Sequence, residues 1–233
     1  MTDKHLSSQF DADLNLISSR VMAMGGLVEA QIMKAMQALD GFDDELADEI
    51  IEAEDTLNRM EVEIDEECSN IIARRQPAAR DLRLLLSISK MAGNLERAGD
   101  EVEKIARRMK RLREDGDAHV INIAEIKLSG NLAVSILRHA LDAFARLDTV
   151  AAVQIVHDDR AIDEEFRAFV RKLITYMMED PRTISAGLDF LFIAKAIERI
   201  GDHAKNLAEF IIYIVKGADV RHQPDRLERA ALD

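Results

Sequence analysis

The chain has 233 residues, enough for one large domain or two small ones, and 48 % of them are hydrophobic, which is ample for a core. Trp is absent, aromatics are 4 %, and Gly (10) and Pro (3) are scarce beside 32 % charged residues, so long helices around an aliphatic core are expected. A net charge of −13 argues against nucleic-acid binding, the lone Cys68 forms no internal disulfide, and the Phe210–Val215 apolar run is too short to span a bilayer; a soluble, cytoplasmic protein is expected.

The first helix is expected over 13–39, ending at Asp40-Gly41. The second carries Leu46, Ile50, Ala53, Leu57, Met60, Ile64, Cys68 and Ile71, whose steps of three and four mark a bundle seam. Cys68 continues that seam and is read as a buried, inert thiol. Pro77 stops this helix, because the residue before a proline avoids the α region. The third helix repeats the seam at Ile88, Ala92, Leu95, Gly99, Val102, Ala106 and Met109, and Asp115-Gly116-Asp117 breaks it. Its basic end, with Arg107, Arg108, Lys110 and Arg111, reads either as a solvated terminus complementing the helix dipole or as a docking patch for an acidic partner or anionic surface.

The second half follows the same plan. Helices are expected over 121–147 and 150–178, the latter closed by Asp180-Pro181, and a sixth carries Phe190, Ala194, Ile197, Gly201, Ala204, Ala208 and Ile211. The fold expected is all-α: two repeated antiparallel three-helix bundles, at 1–116 and 117–217, with a tail at 218–233.

Leu95-Glu96-Arg97-Ala98-Gly99-Asp100 recurs 102 residues later as Ile197-Glu198-Arg199-Ile200-Gly201-Asp202, and Ala38–Phe42 matches Ala140–Phe144 at the same spacing. A fixed period of this kind points to duplication of one unit. Gly99 and Gly201 on the seam would let a neighbouring helix come close, or are simply inherited by both copies. Glu96 with Asp100, and Glu198 with Asp202, lie one turn apart on the flank of the apolar stripe. Counting equally outward from Pro77 sets Glu96 level with Asn58 and Asp100 level with Glu54. Counting from Pro181 sets Glu198 beside Asp163 and Asp202 beside Asp159.

Carboxylates brought this close raise each other's pKa unless a cation is present. All-oxygen sets suit Mg²⁺, Ca²⁺, Mn²⁺ or iron, thiolate-rich ones zinc, and helical bundles build metal sites from inward carboxylates. The alternative is a solvated acidic face. Bound divalent or trivalent ions (Mg, Mn, Zn or Fe) are therefore expected as cofactors, none serving catalysis. Asn58 leaves the first set less negative, so weaker binding is expected there. His203 is either an extra ligand or a surface residue; Arg97 and Arg199 are candidates for salt bridges between helices.

With Arg75-Gln76-Pro77, Asp81-Leu82-Arg83, Tyr176 through Thr183 and Val215-Lys216-Gly217 added to the two acidic repeats, the whole chain resembles the PhoU family of phosphate-transport accessory and phosphate-regulon regulator proteins. The resemblance implies two three-helix bundles and no enzymatic activity. It implies restraint of phosphate uptake through the Pst ABC transporter and repression of the starvation response, with the transporter's ATPase subunit and the phosphate-sensing histidine kinase as partners. It also implies that the acidic motifs hold metal clusters. A homodimer that meets the membrane only through its partners is expected, with no nucleic acid bound. The competing reading is a carboxylate-bridged metal protein for storage or catalysis. No Glu on helices two, three, five or six is followed three places later by His, as a di-iron bundle requires.

Overall fold

The computed structural model describes residues 8–116 and 121–220. Six helices carry them: α1 (Ser8–Gly41), α2 (Asp44–Arg75), α3 (Ala79–Glu114), α4 (Ala124–Arg146), α5 (Thr149–Glu179) and α6 (Ile184–Lys216). A 3₁₀ turn, Pro181–Thr183, joins α5 to α6. The periodicity placed every helix; α1 starts five residues earlier than the 13–39 expectation. Asp117 and nearly all of the 218–233 tail lie outside the described residues.

Local chemistry sets the helix ends. Asp43 accepts hydrogen bonds from the Glu45 and Leu46 amides (3.0 and 3.2 Å), capping the start of α2. Asp148 caps α5 through the Ala151 amide at 3.0 Å. Gln76 takes a left-handed φ of 48° just before Pro77, and Gly217 ends α6 at φ 71°.

The caps expose a finer repeat than the one read from sequence. Phe42-Asp43 and Leu147-Asp148 share one turn geometry, with φ of 49° and 51° at the first residue, and stand 105 residues apart. Gly25 meets Leu141, and Gly130 meets Met36, again a spacing of 105. The first two helices of each half therefore superpose at 105 and the third at 102. The likeness of Ala38–Phe42 to Ala140–Phe144 is out of structural register by three residues, which are lost again at the tighter hairpin around Pro181.

The third helices, α3 and α6, lie side by side at the centre, α1 meets α4, and α2 and α5 pack on the outside. The seam residues of both halves join one continuous core, from Ile17 and Ile32 through Ile88 and Ile105 to Phe190 and Ile211. Burying each such side chain contributes about 1.5–3 kcal/mol. Cys68 sits within this core, where burial first and then Asp65 and Glu67 push its thiol up to about 12, so it stays protonated and inert.

The seam glycines make the close approaches. A Cβ at Gly99 would overlap Leu57 Cδ1 on α2, and one at Gly201 would lie 2.7 Å from Ile162 Cδ1 and 3.1 Å from Asp159 Oδ1 on α5. Leu57 and Ile162 are also 105 apart, so the two contacts are copies of one another.

Candidate functional site

The acids follow from where α2 meets α3. Glu54, Asn58, Glu61 and Asp65 form a half-buried row on α2, facing half-buried Glu96 and Asp100 on α3. Asn58 donates to Glu54 Oε1 at 2.6 Å. Burial first, then the charges of Asp100 and Glu61, hold the Glu96 carboxyl above its ordinary value, and Glu54 adds to the effect. Asp100 is raised for the same primary reason, with Lys104 opposing and Glu54 reinforcing. Glu54 acts on both α3 acids, which is the neighbourhood that counting from Pro77 predicts. Asp65 Oδ1 is buried with no hydrogen-bond partner.

The second half has the same layout with its charges already met. Buried Asp159 accepts from Lys205 at 3.1 Å; burial raises its pKa, Lys205 offsets this, and Asp202 and Asp163 add to it. Glu198 Oε2 lies 2.6 Å from the Lys195 ammonium, off the direction of a hydrogen bond, so this buried oxygen has an ion-pair partner only. Asp163 is 3.6 Å from Arg167. Among the described residues no three carboxylate, imidazole or thiolate groups are arranged to hold one metal ion.

A cleft of ≈ 800 Å³ opens between α3, α5 and α6, and it draws acids from both halves together: Asp100 from the first, Asp159, Asp163 and Asp202 from the second. Glu54, Asn58, Glu96 and Glu198 lie outside its lining. Arg97 and Arg199 line it from opposite copies. Arg199 bridges the two bundles through buried Glu101 at 3.1 Å, and Lys104 holds the same oxygen at 2.9 Å. His203 also lines the cleft and ties the halves together: its Nδ1 lies 3.1 Å from Asn94 Oδ1 on α3, and Asn206 donates to that oxygen at 2.9 Å. Burial lowers the His203 pKa; Glu101 opposes this and the neighbouring cations add to it.

The cations at the basic end of α3 have acidic partners within the chain. Arg107 pairs with Glu103 at 2.5 Å, Arg108 with buried Asp189 at 2.7 Å, Arg111 with the same oxygen at 3.7 Å, and Lys110 with Asp48. Sequence reasoning passed over Glu101, Asn94 and Asp189, which hold the halves together. The signal for them was a second non-apolar row on α3 and α6 that the seam period does not explain.

The family model described as the PhoU domain matches this chain twice, at residues 21–109 and 126–211. A Burkholderia protein named phosphate-specific transport system accessory protein PhoU homolog is 56 % identical over 234 residues, covering 100 % of both chains. The Escherichia coli K12 phosphate-specific transport system accessory protein PhoU is 47 % identical, over 94 % of this chain and 90 % of that one. The crystal structure of PhoU from Pseudomonas aeruginosa superposes with a TM-score of 0.86 at 47 % identity, covering 90 % of this chain and 100 % of that one. That of the phosphate transport system regulatory protein PhoU from Streptococcus pneumoniae gives 0.84 at 29 % identity, over 91 % and 99 %.

Proposed function

The chain belongs to the PhoU family, and from that premise we propose that it is an accessory regulator of phosphate transport. It restrains uptake by the Pst ABC transporter and represses the phosphate-starvation response, joining the transporter's ATPase subunit to the phosphate-sensing histidine kinase. It works in the cytoplasm as a homodimer, through contact rather than turnover. The observation that carries the reading is full-length identity of 56 % to a relative named as an accessory protein. No helix of the described residues is long and apolar enough to cross a membrane, so attachment through a membrane-embedded partner fits the role.

The metal ions that the family implies fit the first half by chemistry. Glu54, Glu61, Glu96 and Asp100 are hard oxygen donors whose charges repel one another, though no three of them are gathered about one point, and Asp65, one turn from Glu61, has a buried oxygen without a hydrogen-bond partner. In the second half Lys205, Lys195 and Arg167 already neutralise Asp159, Glu198 and Asp163. The ranking expected from the charge of Asn58 is therefore revised: the first half has the charge left to offer. A divalent cation held there would relieve like-charge repulsion and fix the α2–α3 hairpin.

Alkaline phosphatase measured in a deletion strain under abundant phosphate tests the regulatory role. Derepression, reversed by this chain supplied in trans, is the expected outcome. Activity that stays low in the deletion strain overturns the reading.

A further inference from the structure

In the second half the groove between α5 and α6 changes character along its length. At one end stand the acids; beyond them the side chains are apolar. Counting outward from the hairpin, Met178 is level with Ile184, Ile174 with Leu188, and Val170 with Phe192. Met178 is 78 % exposed, and Ile174, Ile184, Leu188 and Phe192 are 45–49 % exposed. The Lys195 ammonium lies 5.3 Å from the Phe166 ring centre, which shows that the two rows share one face and closes the ladder beside the acids. From Ile184 to Lys195 the ladder runs about 16 Å, three helical turns.

The first half carries only part of this surface. On α3 the repeat sets Leu82, Leu86 and Lys90 against Ile184, Leu188 and Phe192, so duplication accounts for two of the α6 rungs. The equivalents of the α5 row are Ala73, Ser69, Asp65 and Glu61, so the second apolar row belongs to the second half alone. Single exposed apolar residues are ordinary, but two aligned rows on adjacent helices form a contiguous patch of the kind that marks an interaction site.

Guanidinium groups border the patch on both sides. Arg167 and Arg171 follow it along α5. On the α3 side Arg108 lies over the Phe192 ring at 4.4 Å, and Arg111 stands beside it near Asp189. Asp163 offsets Arg167, and Asp189 offsets one of Arg108 and Arg111, so each border keeps one net positive charge, which is unusual on a chain of net charge −13. Two copies meeting through this patch would set arginine rows against arginine rows. We propose that the α5–α6 patch is a docking groove for an amphipathic helix of a partner protein, one whose apolar stripe is edged by acidic residues. The stripe fills the space between the two rows, in the helix-in-groove mode, and its acids meet Arg171 and Arg111.

The test uses the full chain and two helical peptides with the same three-turn leucine stripe, one edged by glutamates and the other by lysines. Fluorescence anisotropy should show the glutamate-edged peptide binding about tenfold or more tighter than its twin, with the difference shrinking as salt rises. Ile174→Ser with Leu188→Ser, both at exposed positions, should weaken binding at least about tenfold while circular dichroism stays unchanged. Arg171→Glu with Arg111→Glu should transfer the preference to the lysine-edged peptide. Equal binding of both peptides, no binding of either, or full binding by the serine variant overturns the proposal. So does sedimentation showing a dimer that dissociates in the serine variant, since the groove would then belong to a second copy. Peptide binding is independent of the regulatory role above, so either can fail alone.

Discussion

At the scale of single residues, the glycines and the carboxylates show what a sequence states plainly and what it leaves open. Gly99 and Gly201 recur on the seam, which was legible, but whether they serve a close contact was not. Leu57 and Ile162 answer that, because each occupies the space of the missing Cβ. Gly99→Ala should therefore lose about 1 kcal/mol: an overpacking cost of about 1–3 kcal/mol outweighs a helix-propensity gain of up to about 1 kcal/mol. Gly26 in α1 faces open space, so Gly26→Ala should instead gain up to about 1 kcal/mol. Urea denaturation of the pair separates them; equal gains would remove the packing argument. Glu96 gives a second residue-level expectation. Its folded pKa is raised above the unfolded value of about 4.3, so ionisation favours the unfolded chain. The penalty is absent at low pH, grows as pH rises from the unfolded to the folded value, and is complete at neutral pH. In metal-free buffer Glu96→Gln should be more stable than wild type at pH 7 by up to about 0.5 kcal/mol, and indistinguishable near pH 3. A constant difference at all pH values would mean that charge is not the cause.

At the scale of helices, facing partners were legible because Pro77 and Pro181 fix the hairpins, and antiparallel helices rise at one rate. The level of Glu54 with Asp100, and of Asp159 with Asp202, followed from counting alone. The three-residue offset between the first two helices of each half was not legible, since a shift of less than one turn still pairs apolar with apolar. Nor were the cations: Lys195 and Lys205 look like solvated charges in a sequence and become partners of Glu198 and Asp159 only once α5 and α6 are packed. This difference decides the metal experiment. Glu96→Ala with Asp100→Ala should abolish the tighter binding of Mn²⁺ or Mg²⁺ in calorimetric titration, whereas Glu198→Ala with Asp202→Ala should retain it. All three proteins should keep the same helix content, because these acids flank the seam rather than fill it. Wild type alone with the second double variant should gain thermal stability from added ion, about 2.7 kcal/mol at an ion concentration a hundredfold above Kd. If wild type binds neither ion below millimolar, or if the first double variant binds as well as wild type, the acids are only a solvated face.

At the scale of the whole molecule, the halves are more closely joined than their repeat suggests. The seam period accounts for packing within each set of three helices, but α3 and α6 are also buried on a second side, where each meets the other. Across that contact Lys90 lies over the Phe210 ring at 5.9 Å and Arg108 over Phe192 at 4.4 Å, two pairs related by the 102-residue repeat with Lys in one and Arg in the other. Arg83 donates to the Ile214 carbonyl at 3.2 and 3.3 Å, and Arg138 on α4 pairs with Glu29 on α1. None of these partners is near another in sequence, so no local pattern announces them. A core continuous across both halves makes partial unfolding costly, because the half left standing would expose the surface that α3 and α6 bury against each other. The chain should therefore unfold as one unit in urea. The tyrosines make this measurable: both, Tyr176 and Tyr213, are in the second half, while far-ultraviolet circular dichroism reports all six helices. The two signals should trace coincident transitions with a common midpoint and slope. A dichroism curve with two steps, of which tyrosine fluorescence follows only one, would show that the halves unfold separately and that the α3–α6 contact is weaker than the cohesion within each bundle.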